Sequence, residues 1–365
     1  MSEETNAPGA EFAAEAPVHR RRPRYRGKNP RRFEEKYKEL NAERYPDEVA
    51  KVLASGKTPA GQHVPILVDA VIECLRPKPG ERTVDCTLGY GGHSRALWQA
   101  VQPGGHLLAL DADPVEIVRT EARLRAAGLS EDSFTTRRMN FAGLARALAE
   151  QGWQDGADVI FADLGLSSMQ IDNPARGFTF KQDGPLDMRM NPQRGVSAAQ
   201  LLATLSEERL AELLVDNADE MHAKVIAAHL WREQQRQPLT TTRQLAEGVR
   251  QALPSRCKAE EIDGAVRRVF QALRIAVNEE YGALDTLLRA LPDCLRPGGR
   301  VAFLTFHSGE DRRVKKAFQE GERSGLYVAV AHAVVRASPE EQRANPRSAP
   351  AKLRWAVRAE AYSEE

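Results

Sequence analysis

The run Asp85-Cys-Thr-Leu-Gly89-Tyr-Gly91-Gly92-His93 sets three glycines just ahead of a helical stretch that starts near Ser94. Glycine lets a backbone approach a ligand closely, and a helix start offers N–H groups with no partner of their own. Asp111 closes the next apolar run, His106-Leu-Leu-Ala-Leu-Asp111, at about 20 residues' distance. A carboxylate placed there can accept hydrogen bonds from both hydroxyls of a ribose. Together they predict a site for a nucleoside cofactor. A dinucleotide fingerprint would want glycine at position 94, where Ser94 stands. Asp85 would repel a pyrophosphate and attract a cation, so S-adenosylmethionine fits better than a nicotinamide dinucleotide. An NAD-dependent oxidoreductase is the alternative, and no hydride-transfer constellation accompanies it.

These residues need a scaffold that carries strand ends and helix starts to one place. Helical spacing over Ile66–Leu75, Ser94–Val101 and Pro114–Ala127 alternates with strand-like runs at Arg82–Thr87, His106–Asp111, Phe134–Met139 and Asp158–Asp163. Such alternation predicts βαβ units and a parallel sheet covered on both faces. The rhythm then stops. From Pro174 to Asp263 the pattern is helical, with helices over Glu207–Asp216 and Ala223–Gln234 and a helix start at Thr240-Thr-Thr242 ahead of Gln244. It resumes with one helix from Val266 to Leu291, a turn at Arg296–Arg300 and a strand at Val301–Phe306. The expected division is a methyltransferase-type α/β domain over residues 61–175 and 264–360, a helical insertion over 176–263, and an N-terminal extension over 1–60.

The 365 residues are 42% hydrophobic and 28% charged, as in ordinary globular enzymes. No apolar run nears the roughly 18 residues that a membrane-spanning helix needs. Cys74, Cys86, Cys257 and Cys294 lack the spacing of a metal knuckle or a disulfide framework, so no metal site and a reducing cytoplasm are expected. Eight Lys or Arg and no acid lie between Arg20 and Arg32; against a whole-chain charge of +1, they leave the remainder at −7. That arm reads as a solvated tail with a charged helix over Arg31–Leu53 behind it, or as a phosphate-binding segment for nucleic acid.

A longer set of motifs points to one family. Asp163-Leu-Gly-Leu-Ser-Ser168-Met-Gln170-Ile-Asp172 runs on to Arg176-Gly-Phe-Thr-Phe180 and Asp183-Gly-Pro-Leu-Asp-Met-Arg-Met190. With His63-Val-Pro-Ile-Leu67, Asp111-Ala-Asp113-Pro114, Phe270–Asn278, Phe306-His-Ser-Gly-Glu-Asp-Arg312, Asn345-Pro-Arg-Ser and Lys352-Leu-Arg354, it resembles the bacterial small-subunit ribosomal RNA cytosine-N4 methyltransferases over residues 63–355. The resemblance implies a Rossmann-like methyltransferase domain with an inserted helical substrate-recognition domain, S-adenosylmethionine as cofactor, and a cytidine in the decoding region of 16S rRNA as target. It implies that Gly91, Gly92, His93, Asp111, Phe141, Asp163 and Gln170 bind the cofactor, with Phe141 beside adenine. Three departures stand out. Gly309 replaces the usual Leu and predicts a looser loop, Asp263–Arg267 replaces a His-Pro-Ala-type stretch, and the extension before His63 has no counterpart in the family pattern.

The exocyclic amine of cytosine is a weak nucleophile because its lone pair is delocalised into the ring. It has to be held in line, and its growing positive charge has to be stabilised. Asp163 is the catalytic candidate, with the Leu164–Ser168 backbone beside it. The Pro-Pro-aromatic run common in amino-methyltransferases is missing, so Phe178 or Phe180 is the candidate clamp for the base. Arg176, Arg189, Arg312, Arg313, Lys315 and Lys316 are candidates to track RNA phosphates. The partner expected is 16S rRNA in the small ribosomal subunit, with no membrane; the oligomeric state stays open, a homodimer included. A non-catalytic RNA-binding assembly factor on a degenerate methyltransferase scaffold is the other class of reading, and the intact glycine loop and Asp111 speak against it.

Overall fold

Every second residue of the central strands is apolar on each face, and that requires cover from both sides. A computed structural model describes residues 65–360. The basic arm, the helix expected over Arg31–Leu53 and the first two residues of His63–Leu67 lie outside the described residues. Seven strands form one sheet: β1 (Arg82–Asp85), β2 (His106–Asp111), β3 (Phe134–Arg138), β4 (Ala157–Asp163), β5 (Leu295–Thr305), β6 (Tyr327–Val330) and β7 (Lys352–Arg358). Their order is β3-β2-β1-β4-β5-β7-β6. Strands β1 to β5 pair in parallel, and β7 lies antiparallel between β5 and β6. This is the Rossmann-like α/β class read from the sequence.

The two-residue period decides which side chain meets which layer. Leu108 and Leu110 join Ile160, Val301 and Phe303 under the helices Leu144–Glu150, Glu280–Cys294 and Ser308–Arg323. Their neighbours Leu107 and Ala109 join Val159, Phe161 and Leu304 under Val68–Leu75, Gly92–Ala100 and Glu116–Ala126. All five parallel strands end at the same edge of the sheet, where ligands bind in open α/β folds. The turn expected at Arg296–Arg300 survives as a bulge inside β5: Ala157 pairs with Leu295 and Val159 with Arg300, so the residues between them loop out, with Gly298 at φ 72°. Among the described residues, no helix is long and apolar enough to cross a membrane.

A separate helical core takes Leu210, Leu214, Ile226, Leu230, Leu245, Val249, Val269 and Leu273. Ser206 and Thr241 cap two of its helices, and Thr241 forms a capping box with Gln244. The single helix expected over Val266–Leu291 is two helices, Ala259–Asn278 and Glu280–Cys294, joined at Glu279 with φ 51°. The apolar period runs through the junction, so the break is a tertiary effect. Asn278 accepts from Met190 N at 2.7 Å and donates to Met188 O at 2.8 Å, locking the helix end to the start of the insertion. The division expected at 263/264 falls inside the first of these helices, whose residues Ala265 to Leu273 pack in the helical core.

Gly309 corrects the expectation of a loose loop. It lies in the first turn of the helix Ser308–Arg323 and is buried. A Cβ there would stand 1.9 Å from Tyr281 Oη, so the glycine makes room for this phenol, which donates to Asn217 O at 3.1 Å and ties the sheet layer to the insertion. Gly309→Ala is therefore expected to destabilise the protein by about 1–3 kcal/mol in thermal or denaturant melts. In a Tyr281→Ala background the same change should cost much less; equal losses in both backgrounds would refute the packing argument.

Candidate functional site

The cavity at the carboxyl edge of the sheet has a volume of about 470 Å³, within the common range for small-molecule sites. Gly91, Gly92, His93, Asp111, Phe141, Asp163 and Gln170 all line it, together with the Leu164–Ser168 backbone. Gly91 ends the loop after β1 at φ 79°, a left-handed conformation that strains any other residue, and it precedes the helix Gly92–Ala100. The loop is held from outside: Thr120 Oγ1 donates to Gly89 O at 2.6 Å, and Arg123 donates to Tyr90 O at 2.6 Å while covering the Tyr90 ring.

Asp111 accepts from Gly89 N and from Asp113 N, each at 2.8 Å. Burial pushes its carboxyl up to about 6, against the pull of those two amides. Asp113 is almost fully buried and accepts from Gln170 Nε2 at 2.9 Å, Arg176 Nη1 at 2.7 Å and Val115 N at 2.9 Å. Gln170 is thus fixed at both ends, because its Oε1 also accepts from Ser167 N in a capping box. Phe141 sits in the turn that Asn140 caps and packs against the core beneath it.

Asp163 ends β4 with about three-tenths of its side chain open. Burial pushes its carboxyl up to about 6; His93 opposes that shift, whereas Asp85 and Glu310 add to it. His93 Nε2 lies 2.8 Å from Ile66 O, and its Nδ1 faces Asp163 Oδ2 at 3.5 Å. The ring, anchored to Ile66, thus stands against the tip of β4 from the first turn of the neighbouring helix.

Other expectations are corrected. Asp85 does not line the cavity: it is fully buried, and Ser94 Oγ donates to it at 2.5 Å and Thr87 N at 3.0 Å. The serine that broke the dinucleotide pattern is what turns this acid inward. Phe178 belongs to the helical core and Phe180 packs edge-on against Phe270 at 5.2 Å, so neither reaches the cavity. Arg176 and Arg189 are ion-paired to Asp113 and Asp187 rather than turned to solvent. Arg312 pairs with Asp219 at 3.0 Å with about half of its side chain open to solvent, and Arg313 stacks over Tyr281, so neither placement overturns the expectation for these two.

Sequence reasoning also missed part of the wall. Arg274, Glu280, His307 and Glu310 line the side nearest β5. Arg274 holds Glu280 through two contacts of 2.7 and 2.8 Å. His307 Nε2 stands 3.1 Å from Glu310 Oε1, yet neither ring nitrogen has an aligned hydrogen-bond partner among the described residues. Glu116 Oε2 is likewise buried without one. The motifs Phe270–Asn278 and Phe306–Arg312 contain Arg274, His307 and Glu310 but give them no role; their enclosure as charged side chains beside a cavity does, and only the fold reveals that.

A family model described as the MraW methylase family matches residues 60–359. The chain is 46% identical over 347 residues to "Ribosomal RNA small subunit methyltransferase H 1" of Lachnoclostridium phytofermentans, covering 94% of each chain. It is 46% identical to the protein of the same name from Agathobacter rectalis, covering 95% of this chain and 100% of that one. Among solved structures, it is similar to a SAM-dependent O-methyltransferase from Thermotoga maritima at 13% identity and a TM-score of 0.39, covering 87% of this chain and 74% of that one. Coverage of 94% and 95% reaches well ahead of His63, so the extension that looked foreign to the family pattern is shared in part with these two relatives.

The Asp163 carboxyl yields a pH prediction. Its folded value of about 6 lies above the ordinary 3.8, so the folded state holds the proton more tightly than the unfolded chain. This group's stability contribution is complete below about 4 and is lost as pH rises through 6. At pH 7.5 the ionised carboxylate is a burden, and Asp163→Asn should stabilise the unliganded protein by on the order of 1 kcal/mol after discounting for its exposure. The gain should shrink at pH 4.5. A variant that melts below wild type at pH 7.5, or whose gain does not change with pH, would contradict the cause given for the shift.

Proposed function

We propose that this chain, which belongs to the MraW methylase family, methylates the N4 amine of a cytidine in the decoding region of 16S rRNA, with S-adenosylmethionine as methyl donor. The relatives' names support the coarser part, a small-subunit rRNA methyltransferase. The observation that carries the finer part is Asp163: a carboxylate at the tip of β4, open to the cavity and flanked by backbone that can accept from an amine.

The residues present fit the cofactor. Asp111 keeps lone pairs for two ribose hydroxyls beyond the two amides it already accepts, and Phe141 offers a flat apolar surface for adenine. Gly91 and Gly92 let the loop pack tightly at the start of the helix Gly92–Ala100, since a Cβ would meet Thr120 and Leu124 at the first and Pro65 at the second. When bound, S-adenosylmethionine supplies an electrophilic methyl group on a sulfonium. Asp163 accepts a hydrogen bond from the N4 amine, turns the lone pair toward the methyl carbon and stabilises the positive charge that grows on nitrogen. The target base has to leave its stack to reach the cavity, and unpaired rRNA allows this cheaply. The enzyme works in the cytoplasm, where the small subunit is assembled.

Two outcomes are expected. Nucleoside mass spectrometry of small-subunit rRNA should show N4-methylcytidine in cells that carry the gene and none in cells that lack it. Asp163→Ala should lower turnover by about 100-fold or more, much more than it weakens S-adenosylmethionine binding. A methyl group found on C5 or on a 2′-oxygen would sink this chemistry. Separately, Asp111→Ala should weaken cofactor binding by about 10- to 150-fold, the loss of a charge-assisted contact worth about 1.5–3 kcal/mol. Unchanged affinity in calorimetry would remove Asp111 from the ribose site.

A further inference from the structure

Cys257 has one potential metal-binding partner near it along the sequence, Glu261 four residues on, and the fold supplies a second, His222. His222 caps the helix Ala223–Arg236, Cys257 lies between the helices Thr242–Ala252 and Ala259–Asn278, and Glu261 stands in the first turn of the latter. One ligating atom from each, a ring nitrogen, a thiol sulfur and a carboxylate oxygen, lies within 4.8 Å of the other two. His222 Nε2 and Glu261 Oε1 are 2.9 Å apart. We infer that His222, Cys257 and Glu261 form a binding site for a zinc-class divalent cation on the helical insertion, far from the methyl-transfer chemistry in role and independent of it.

Three considerations support this. The donor set mixes sulfur, imidazole nitrogen and carboxylate oxygen, which suits a borderline-soft ion such as Zn²⁺ and not Mg²⁺ or Ca²⁺. Charge balances: a thiolate and a carboxylate together neutralise a dication. The backbone of each ligand is already fixed, since His222 N donates to Glu220 Oε1 at 2.8 Å, Cys257 N to Pro254 O at 3.0 Å and Glu261 N to Lys258 O at 3.0 Å. Binding therefore needs side-chain rotation alone, opening the His222–Glu261 contact by about half an ångström to admit an ion at its usual bond lengths. The side chains of His222 and Glu261 are 26% and 37% exposed, so the ion can enter from solvent.

Among the described residues, a second histidine-containing group, Glu280, His307 and Glu310 in the cavity wall, is a worse host. Arg274 already neutralises Glu280 at 2.7 and 2.8 Å, and a dication would sit beside a guanidinium. On the insertion the ion replaces the proton released from Cys257 and clips the 253–258 connection to the turn ahead of His222. Three protein ligands leave one position for water, so the ion is exchangeable.

The test uses the full chain stripped with a chelator. Titration with Co²⁺ should produce a near-ultraviolet thiolate-to-metal band and the visible bands of a four-coordinate site. Zn²⁺ should bind one-to-one with a dissociation constant of about 1 µM or tighter and raise the melting temperature by a few degrees. Cys257→Ser should abolish the near-ultraviolet band and weaken Zn²⁺ binding by about 100-fold, and His222→Gln should weaken it by about 10-fold or more. Cys74→Ser, the control at the other cysteine that is not fully buried, should change neither. Wild-type affinity weaker than about 100 µM, or binding that survives Cys257→Ser, would overturn the site. Melting without metal checks the fold of each variant, and if Cys257→Ser does not fold, unchanged Zn²⁺ binding by His222→Gln overturns it instead.

Discussion

The buried carboxylate of Asp113 joins the parts of this molecule that have to agree for the cavity to exist. It lies just past the end of β2 and accepts from the amides that open the next helix. It also takes the Gln170 side chain from the loop after β4 and the Arg176 guanidinium from the entry to the insertion. Arg176 in turn donates to the carbonyls of Arg189 and Met190. A charge so enclosed is tolerated because it has an ion pair and several donors; removing one partner would leave the rest exposed to an uncompensated buried charge. The cofactor wall, the tip of β4 and the insertion are thereby referred to one carboxylate.

Around that fixed point the cavity keeps groups that the fold leaves unsettled. Asp111 and Asp163 carry carboxyls pushed up to about 6 by burial, and His307 and Glu116 hold polar atoms with no aligned partner among the described residues. Such groups lower the stability of the unliganded chain and are the ones a ligand can satisfy. The contrast with Asp85 is instructive: one residue type, at the end of the neighbouring strand, is made purely structural by Ser94.

The insertion is attached with equal care. Asn278 stops a helix whose apolar pattern would otherwise run on, and Tyr281 crosses from the sheet layer to Asn217 through the space that Gly309 leaves open. Both devices sit beside the cavity wall formed by Arg274 and Glu280, so the angle of the insertion and the shape of that wall are set by the same residues.

Period, glycine placement and strand-end acids are local signals, and they determined five of the seven strands, the glycine loop and Asp111; β6 and the antiparallel β7 went unread, and residues such as Phe141 and Gln170 were named from the family motifs alone. The sequence also carried the family motifs that mark the loop after β4. It could not determine which charged side chains face inward. Asp85 looked like a ligand residue and is enclosed, whereas Arg176 and Arg189 looked like phosphate contacts and are ion-paired. It ran two helices into one, and it read Gly309 as looseness where Tyr281 fills the space. It passed over Arg274, Glu280, His307 and Glu310, and it treated Cys257 as solitary. Some deciding partners are remote along the chain, as Asp113 is for Arg176 and His222 for Cys257, and some are near, as Asp187 is for Arg189, but in every case the energy of a charge or a close contact depends on what the fold brings within a few ångströms. Only the tertiary structure makes that choice.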